Sequence, residues 1–157
     1  NKILCNNEIK HLHEKKTIIY GSMILKTKFK LRPGVAKVIE RAKLKNIKIA
    51  IATASSLTNV ETLAKSVWGT SVNNIFNVVV TGNEVKKKKP SPEAYHLALK
   101  KLCIQSKHCL AIEDSLPGLR SAKGAGLRTV ITPSLYTKND NFSLADIVLT
   151  SLVDFEI

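Results

Sequence analysis

The hydrophobic and polar positions of this chain alternate between two patterns. Ile3, Leu4, Leu12, Ile18, Ile19, Met23 and Ile24 stand among polar residues and read as helix over residues 3–25. Leu31-Arg-Pro33-Gly34 marks a boundary, with Pro33 suited to a first helical turn. Val35, Val38, Ile39 and Ala42 then recur at helical spacing until Asn46. A compact apolar run follows, Ile47 to Thr53, which reads as a strand. Val60, Leu63, Ala64 and Val67 define the next helical face, and Thr58 with Glu61 has the form of a capping box. Phe76 to Thr81 is a second strand, turned by Gly82-Asn83. Ser91-Pro92-Glu93 opens a helix bearing Tyr95, Ala98, Leu99 and Leu102 on one face. Cys109 to Ile112 is a strand, a helix begins near Pro117 and stops at Gly124-Ala-Gly126, and short strands cover 129–131 and 147–149.

This strand–helix alternation predicts an α/β fold, a parallel sheet covered by helices and joined by right-handed crossovers. Ligands in such sheets bind beyond the carboxyl ends of the strands. Three of these ends carry chemistry: Thr53-Ala54-Ser55, the loop ending at Lys89, and Glu113-Asp114. All three are expected at one rim.

Composition narrows the function classes. The 157 residues suit one domain or a large part of one, and 44% apolar content supplies a core. No apolar run reaches the ~18 residues that span a bilayer, and the N-terminus carries no signal-peptide pattern. The three cysteines, Cys5, Cys103 and Cys109, lack metal or redox spacing and fit a reducing compartment. The net charge of +13 comes mainly from lysines scattered over every segment. With 5% aromatics there is little surface for base stacking, which argues against nucleic acid; an anionic substrate gains more from the field.

At the rim, the Thr53 hydroxyl and the amides after it can cradle a phosphate, or can simply cap the next helix. Lys89, held between a lysine run and Pro90, can pair with a phosphoryl oxygen or a carboxylate, or can face solvent as Lys86, Lys87 and Lys88 do. Glu113 and Asp114 are hard oxygen donors of the kind Mg²⁺ takes, or first-turn acids on a helix dipole.

Taken together, these three segments resemble the haloacid dehalogenase superfamily. Leu31-Arg-Pro-Gly-Val35, Lys88-Lys-Pro-Ser-Pro-Glu93 and Ala111-Ile-Glu-Asp-Ser-Leu-Pro-Gly-Leu119 look like its CbbY branch, close to β-phosphoglucomutase. Leu12-His-Glu-Lys-Lys-Thr17 and Thr132-Pro-Ser-Leu-Tyr-Thr137 share that likeness, which runs from about residue 10 to residue 150. The resemblance implies a Rossmann-like core at residues 27–157, preceded over residues 1–26 by the end of a helical cap. It implies that Thr53 and the Ala54 amide hold the transferring phosphoryl group and that Lys89 neutralises charge there. Glu113 and Asp114 would bind Mg²⁺, while Ser55 and Asn59 match polar positions facing substrate. Asn83 stands where the family commonly has aspartate.

The chain departs from the family upstream. The family's Asp-x-Asp motif, nucleophile and general acid-base, ends the first core strand. Asp114 is the first aspartate here, and the chain begins at Asn1 rather than Met. The expectation is therefore a C-terminal fragment lacking the first core strand and most of the cap, with a gap or an exposed pairing edge in the sheet. The implied activity of the intact protein is Mg²⁺-dependent hydrolysis of a sugar phosphate, such as xylulose 1,5-bisphosphate, in bacterial cytoplasm or plastid stroma. The alternatives are a non-catalytic phosphate- or partner-binding remnant, and a phosphomutase. The chain by itself is expected not to turn over, and its oligomeric state is not readable.

Overall fold

The structure, a computed structural model, describes residues 5–27 and 29–157; the expected apolar positions Ile3 and Leu4 lie outside them. Helix α1 (Asn6–Lys26) starts at Cys5, whose amide donates to Glu8 Oε2 at 2.9 Å. It packs against α3 (Leu57–Trp68). Ile24 is fully buried, whereas Leu12, Ile18, Ile19 and Met23 remain exposed.

Helix α2 (Val35–Leu44) begins two residues later than Pro33 would place it. Gly34 is the N-cap instead, at φ 86°, because the chain turns tightly against the C-terminal segment. A Cβ there would lie 2.1 Å from the Leu152 carbonyl carbon, so only glycine fits. Val38 joins Val130 and Leu152 in a cluster beneath this helix.

Strand β1 (Ala50–Ala52) pairs in parallel with β2 (Val78–Val80). Both are shorter than the apolar runs suggest. Before β1, the Asn77 amide donates to the Ile49 carbonyl at 2.9 Å and the Asn77 side chain accepts from the Ile49 amide at 2.9 Å, so this one residue closes the end of the pair. Strand β3 (Leu110–Glu113) pairs with β4 (Arg128–Ile131), and β4 with β5 (Ile147–Val148), all parallel. The sheet thus falls into two parts, β1-β2 and β3-β4-β5. Among the described residues, the second edge of β1 and the second edge of β3 carry no strand. The sheet is interrupted, as expected, into these two parts.

Helix α4 (Glu93–Leu102) bridges the two parts, and its sequence shows how. Ala94 and Ala98 pack on Val80 in the first part. Tyr95 and Leu99, one position on, pack against Ala111, Ala122, Ala125 and Leu127 around the second. Helical geometry puts each i, i+4 pair in its own stripe, so one helix serves both halves. Helix α5 (Leu116–Gly124) follows β3 and packs against α4, β3 and β4.

The capping box expected at Thr58 and Glu61 does not form. Ser56 is the N-cap of α3, its Oγ accepting from the Asn59 amide at 3.4 Å. Glu61 turns away and accepts from Ser71 Oγ at 2.9 Å and from the Val72 amide at 3.4 Å. Glu61 lies five positions beyond that N-cap, too far along the helix to reach back to its amide.

Candidate active site

The loop from β2 to α4 is built to bring one lysine inward. Glu93, in the first turn of α4, accepts from the Lys86 and Lys87 amides at 2.7 and 2.9 Å. These bonds hold its carboxyl below the ordinary 4.5 and fold the loop over the helix start. Lys86, Lys87 and Lys88 remain exposed, as solvent-facing lysines should. On the far side of the cis Lys89–Pro90 peptide, the Ser91 carbonyl accepts from Ser121 Oγ of α5 at 2.7 Å. Lys89 is left pointing at the end of β3.

There it forms an ion pair with Glu113 Oε1, and the two side chains are 16% and 9% exposed. Tyr95 Oη donates to the same Oε1 at 2.5 Å. The Lys89 ammonium also lies 5.0 Å from the centre of the Tyr95 ring. Burial, then the adjacent Glu113 charge, raises the Tyr95 phenol well above its ordinary value of 10.0, so it stays protonated as a donor.

Glu113 and Asp114 are not helix-dipole acids. The N-cap of α5 is Ser115, and its first turn holds no acidic residue. The Leu116 amide is satisfied instead by Asp140 Oδ2 at 3.2 Å, from the loop after β4. That loop also fixes the backbone at the site: Thr137 Oγ1 donates to the Asp114 carbonyl at 2.5 Å and accepts from the Ser134 amide at 2.9 Å. The exposed Asp114 carboxylate has no hydrogen-bond or ion-pair partner among the described residues.

Thr53 follows the end of β1, its amide donating to the Val80 carbonyl at 3.0 Å. It does not cap α3; Ser56 does. Thr53 Oγ1 accepts from the Ser55 amide at 3.1 Å, which uses one of the amides that a phosphate cradle would offer. The Ala54 amide has no partner among the described residues, and Ala54 and Ser55 are both exposed. Gly82 closes this loop from below, where a Cβ would meet the Ala54 carbonyl oxygen at 2.2 Å. Asn59 is placed differently: it is 9% exposed, and its Oδ1 is fully buried without a partner. No hydrogen bond or ion pair joins Thr53 to Lys89 or Glu113 among the described residues. The structure therefore brings Lys89, Glu113 and Asp114 together and sets Thr53, Ala54 and Ser55 on the end of the other sheet part.

Among the described residues no cluster of three or more His, Cys, Asp or Glu side chains can hold a metal ion. The donor chemistry of two adjacent carboxylates still fits Mg²⁺, which takes one or two carboxylates and keeps waters. Gly118 supports that fit. A Cβ there would lie 2.0 Å from Glu113 Oε2, so the missing side chain leaves the carboxylate its place. Tyr95, Gly118 and Thr137 were not foreseen as site residues. Tyr95 read as core from its helical spacing, and Thr137 stood only within a family-like segment.

Comparison with known proteins places the chain in a family. The haloacid dehalogenase-like hydrolase family matches residues 4–126. The chain belongs to that family. Within it, the likeness is to the CbbY branch. Protein CbbY of Cereibacter sphaeroides is 42% identical over 146 residues, which are 93% of this chain and 64% of that protein. The phosphorylated carbohydrates phosphatase of Thermotoga maritima is 31% identical over 145 residues, 92% of this chain and 62% of that one. A crystal structure of a CbbY variant from Rhodobacter sphaeroides in complex with xylulose 1,5-bisphosphate superposes with a TM-score of 0.93 at 40% identity. The match covers 98% of this chain and 68% of the other. The chain thus spans a little under two thirds of the length of the Cereibacter sphaeroides and Thermotoga maritima relatives.

Proposed function

We propose that this polypeptide supplies the phosphate- and cation-binding part of a Mg²⁺-dependent phosphatase for a small phosphorylated sugar, with xylulose 1,5-bisphosphate as the first candidate. The observation that carries this reading is the largely buried Lys89–Glu113 pair beside the Asp114 carboxylate, unpartnered among the described residues, at the carboxyl end of β3. A buried ion pair is costly to desolvate and contributes little to stability by itself, so its place in a strand-end rim favours a functional use.

Asp114 and Glu113 Oε2 are the atoms that would hold Mg²⁺. When bound, the ion withdraws charge from a phosphoryl oxygen. The Lys89 ammonium lies against Glu113 and would balance negative charge gathering there. The Ala54 amide and the Thr53 hydroxyl would donate to phosphoryl oxygens from the β1 side. The attacking carboxylate is not among these residues, since no aspartate precedes Asp114. In the whole reaction, a carboxylate from outside residues 1–157 would take the phosphoryl group, and water would then release phosphate.

No helix among the described residues is long and apolar enough to cross a membrane. The free cysteines Cys5, Cys103 and Cys109 suit a reducing compartment, in keeping with bacterial cytoplasm or plastid stroma.

Phosphate release from xylulose 1,5-bisphosphate, measured with and without MgCl₂, tests the division of labour. The polypeptide alone should bind the bisphosphate and release none of it. Mg²⁺-dependent release by residues 1–157 would overturn the placement of the nucleophile elsewhere.

A further inference from the structure

Glu113 has two carboxylate oxygens in unequal settings. Oε1 receives both the Lys89 ammonium and the Tyr95 hydroxyl, the latter at 2.5 Å. Oε2 has no hydrogen-bond partner among the described residues. It rests on the Cα of Gly118, where any Cβ would come within 2.0 Å of it. It is not sealed from solvent, since the one fully buried unpartnered side-chain oxygen among the described residues is Asn59 Oδ1. The carboxylate is therefore held with one oxygen committed to the protein and one left over.

Tyr95 is the rigid member of this arrangement. Its ring packs against the cluster of Ala111, Ala122, Ala125 and Leu127, while Ala94 and Ala98 on the same helix pack against the other sheet part. The hydroxyl position is thus set by the helix that joins the two halves. Lys89, by contrast, reaches Oε1 on a flexible four-carbon stem.

We infer that Tyr95 is a positioning residue that restricts Glu113 to one-oxygen coordination, so that the site selects Mg²⁺ over Ca²⁺. The inference rests on the cation-binding reading proposed above. Magnesium takes single oxygens in a near-octahedral set, whereas calcium accepts both oxygens of a carboxylate and more ligands overall. With Oε1 occupied by two donors, two-oxygen binding would have to displace the Tyr95 hydroxyl.

Titration calorimetry with MgCl₂ and with CaCl₂, on the wild type and on Tyr95→Phe, tests this. The wild type should bind MgCl₂ more tightly than CaCl₂. Tyr95→Phe should narrow that preference by about 10-fold, a change typical of losing a partner to a metal ligand. An unchanged ratio in Tyr95→Phe would overturn the role of Tyr95 and leave the cation site standing. A wild type that binds neither salt would overturn both. Thermal unfolding checks that the variant folds. If it does not, wild-type protein labelled at tyrosine ¹³Cζ gives the answer. The Tyr95 resonance should hold in MgCl₂ and move in CaCl₂, with the exposed Tyr20 and Tyr136 as internal references. No movement in CaCl₂, at concentrations where CaCl₂ binds, would contradict the inference.

Discussion

The Lys89 ammonium and the Glu113 carboxylate, 24 residues apart, form an ion pair at the carboxyl end of β3 with little of either side chain exposed. Removing the cation while keeping the stem, as in Lys89→Met, leaves a mostly buried carboxylate with only the Tyr95 hydroxyl as donor. Breaking a buried pair from one side destabilises by roughly 3 kcal/mol. Urea denaturation of Lys89→Met, Glu113→Gln and the double variant should show the double variant less destabilised than the sum of the singles. Additive losses would mean the two side chains do not interact.

Gly118→Ala places a methyl where Glu113 Oε2 sits. The carboxylate must move, at a cost of about 1–3 kcal/mol in stability. Cation binding should fall with it. Wild-type MgCl₂ affinity in Gly118→Ala would show that Oε2 is not a ligand.

Helix α3 should depend on Ser56 rather than Thr58. Ser56→Ala removes the N-cap acceptor of the Asn59 amide and should cost about 1 kcal/mol. Thr58→Ala should cost much less. The reverse order in thermal unfolding would restore the capping box.

Acid should loosen the β4–β5 side of the sheet. The Asp146 carboxyl lies below its ordinary 3.8 because Lys123 and then the Thr129 amide donate to it. The Glu84 carboxyl lies below 4.5 because Lys101, and then the Thr81 amide, donate to it. A carboxyl held low in the folded state adds stability above its unfolded value and loses it as pH falls through the folded one. Stability should therefore decline from about pH 4.5 downward. Asp146→Asn should flatten the part of that decline below about pH 4, in unfolding curves taken at stepped pH.

Much of the fold was legible because its signals are local. The apolar runs at 47–53 and 76–81 each contain a strand, the run at 109–112 holds all but the last residue of β3, and the helical faces at Val38, Ala64 and Ala98 are buried as their spacing requires. Strand lengths were less legible, because a strand ends where its partner ends, and among the described residues the ladder of β1 runs along Val78 to Val80. The cap of α3 was misjudged because Ser56 and Thr58 are both competent acceptors, and the choice between them is made by where the chain leaves Thr53. At the site, the residue types at Lys89, Glu113 and Asp114 were readable from charge at strand ends. That Lys89 pairs with Glu113 was not, since the contact is created by a loop folded over Glu93. Tyr95 was hidden for a related reason: its spacing marks it as core, and only its hydroxyl distinguishes its use.

The central claim is that the Lys89, Glu113 and Asp114 end of β3, with Thr53 and Ala54, binds a phosphorylated sugar together with Mg²⁺. Titration calorimetry of the polypeptide with xylulose 1,5-bisphosphate, with and without MgCl₂, tests it most directly when repeated on Asp114→Asn. Binding should strengthen with MgCl₂ in the wild type, and that gain should vanish in Asp114→Asn. Binding that is absent under both conditions, or equal with and without MgCl₂, would contradict the claim.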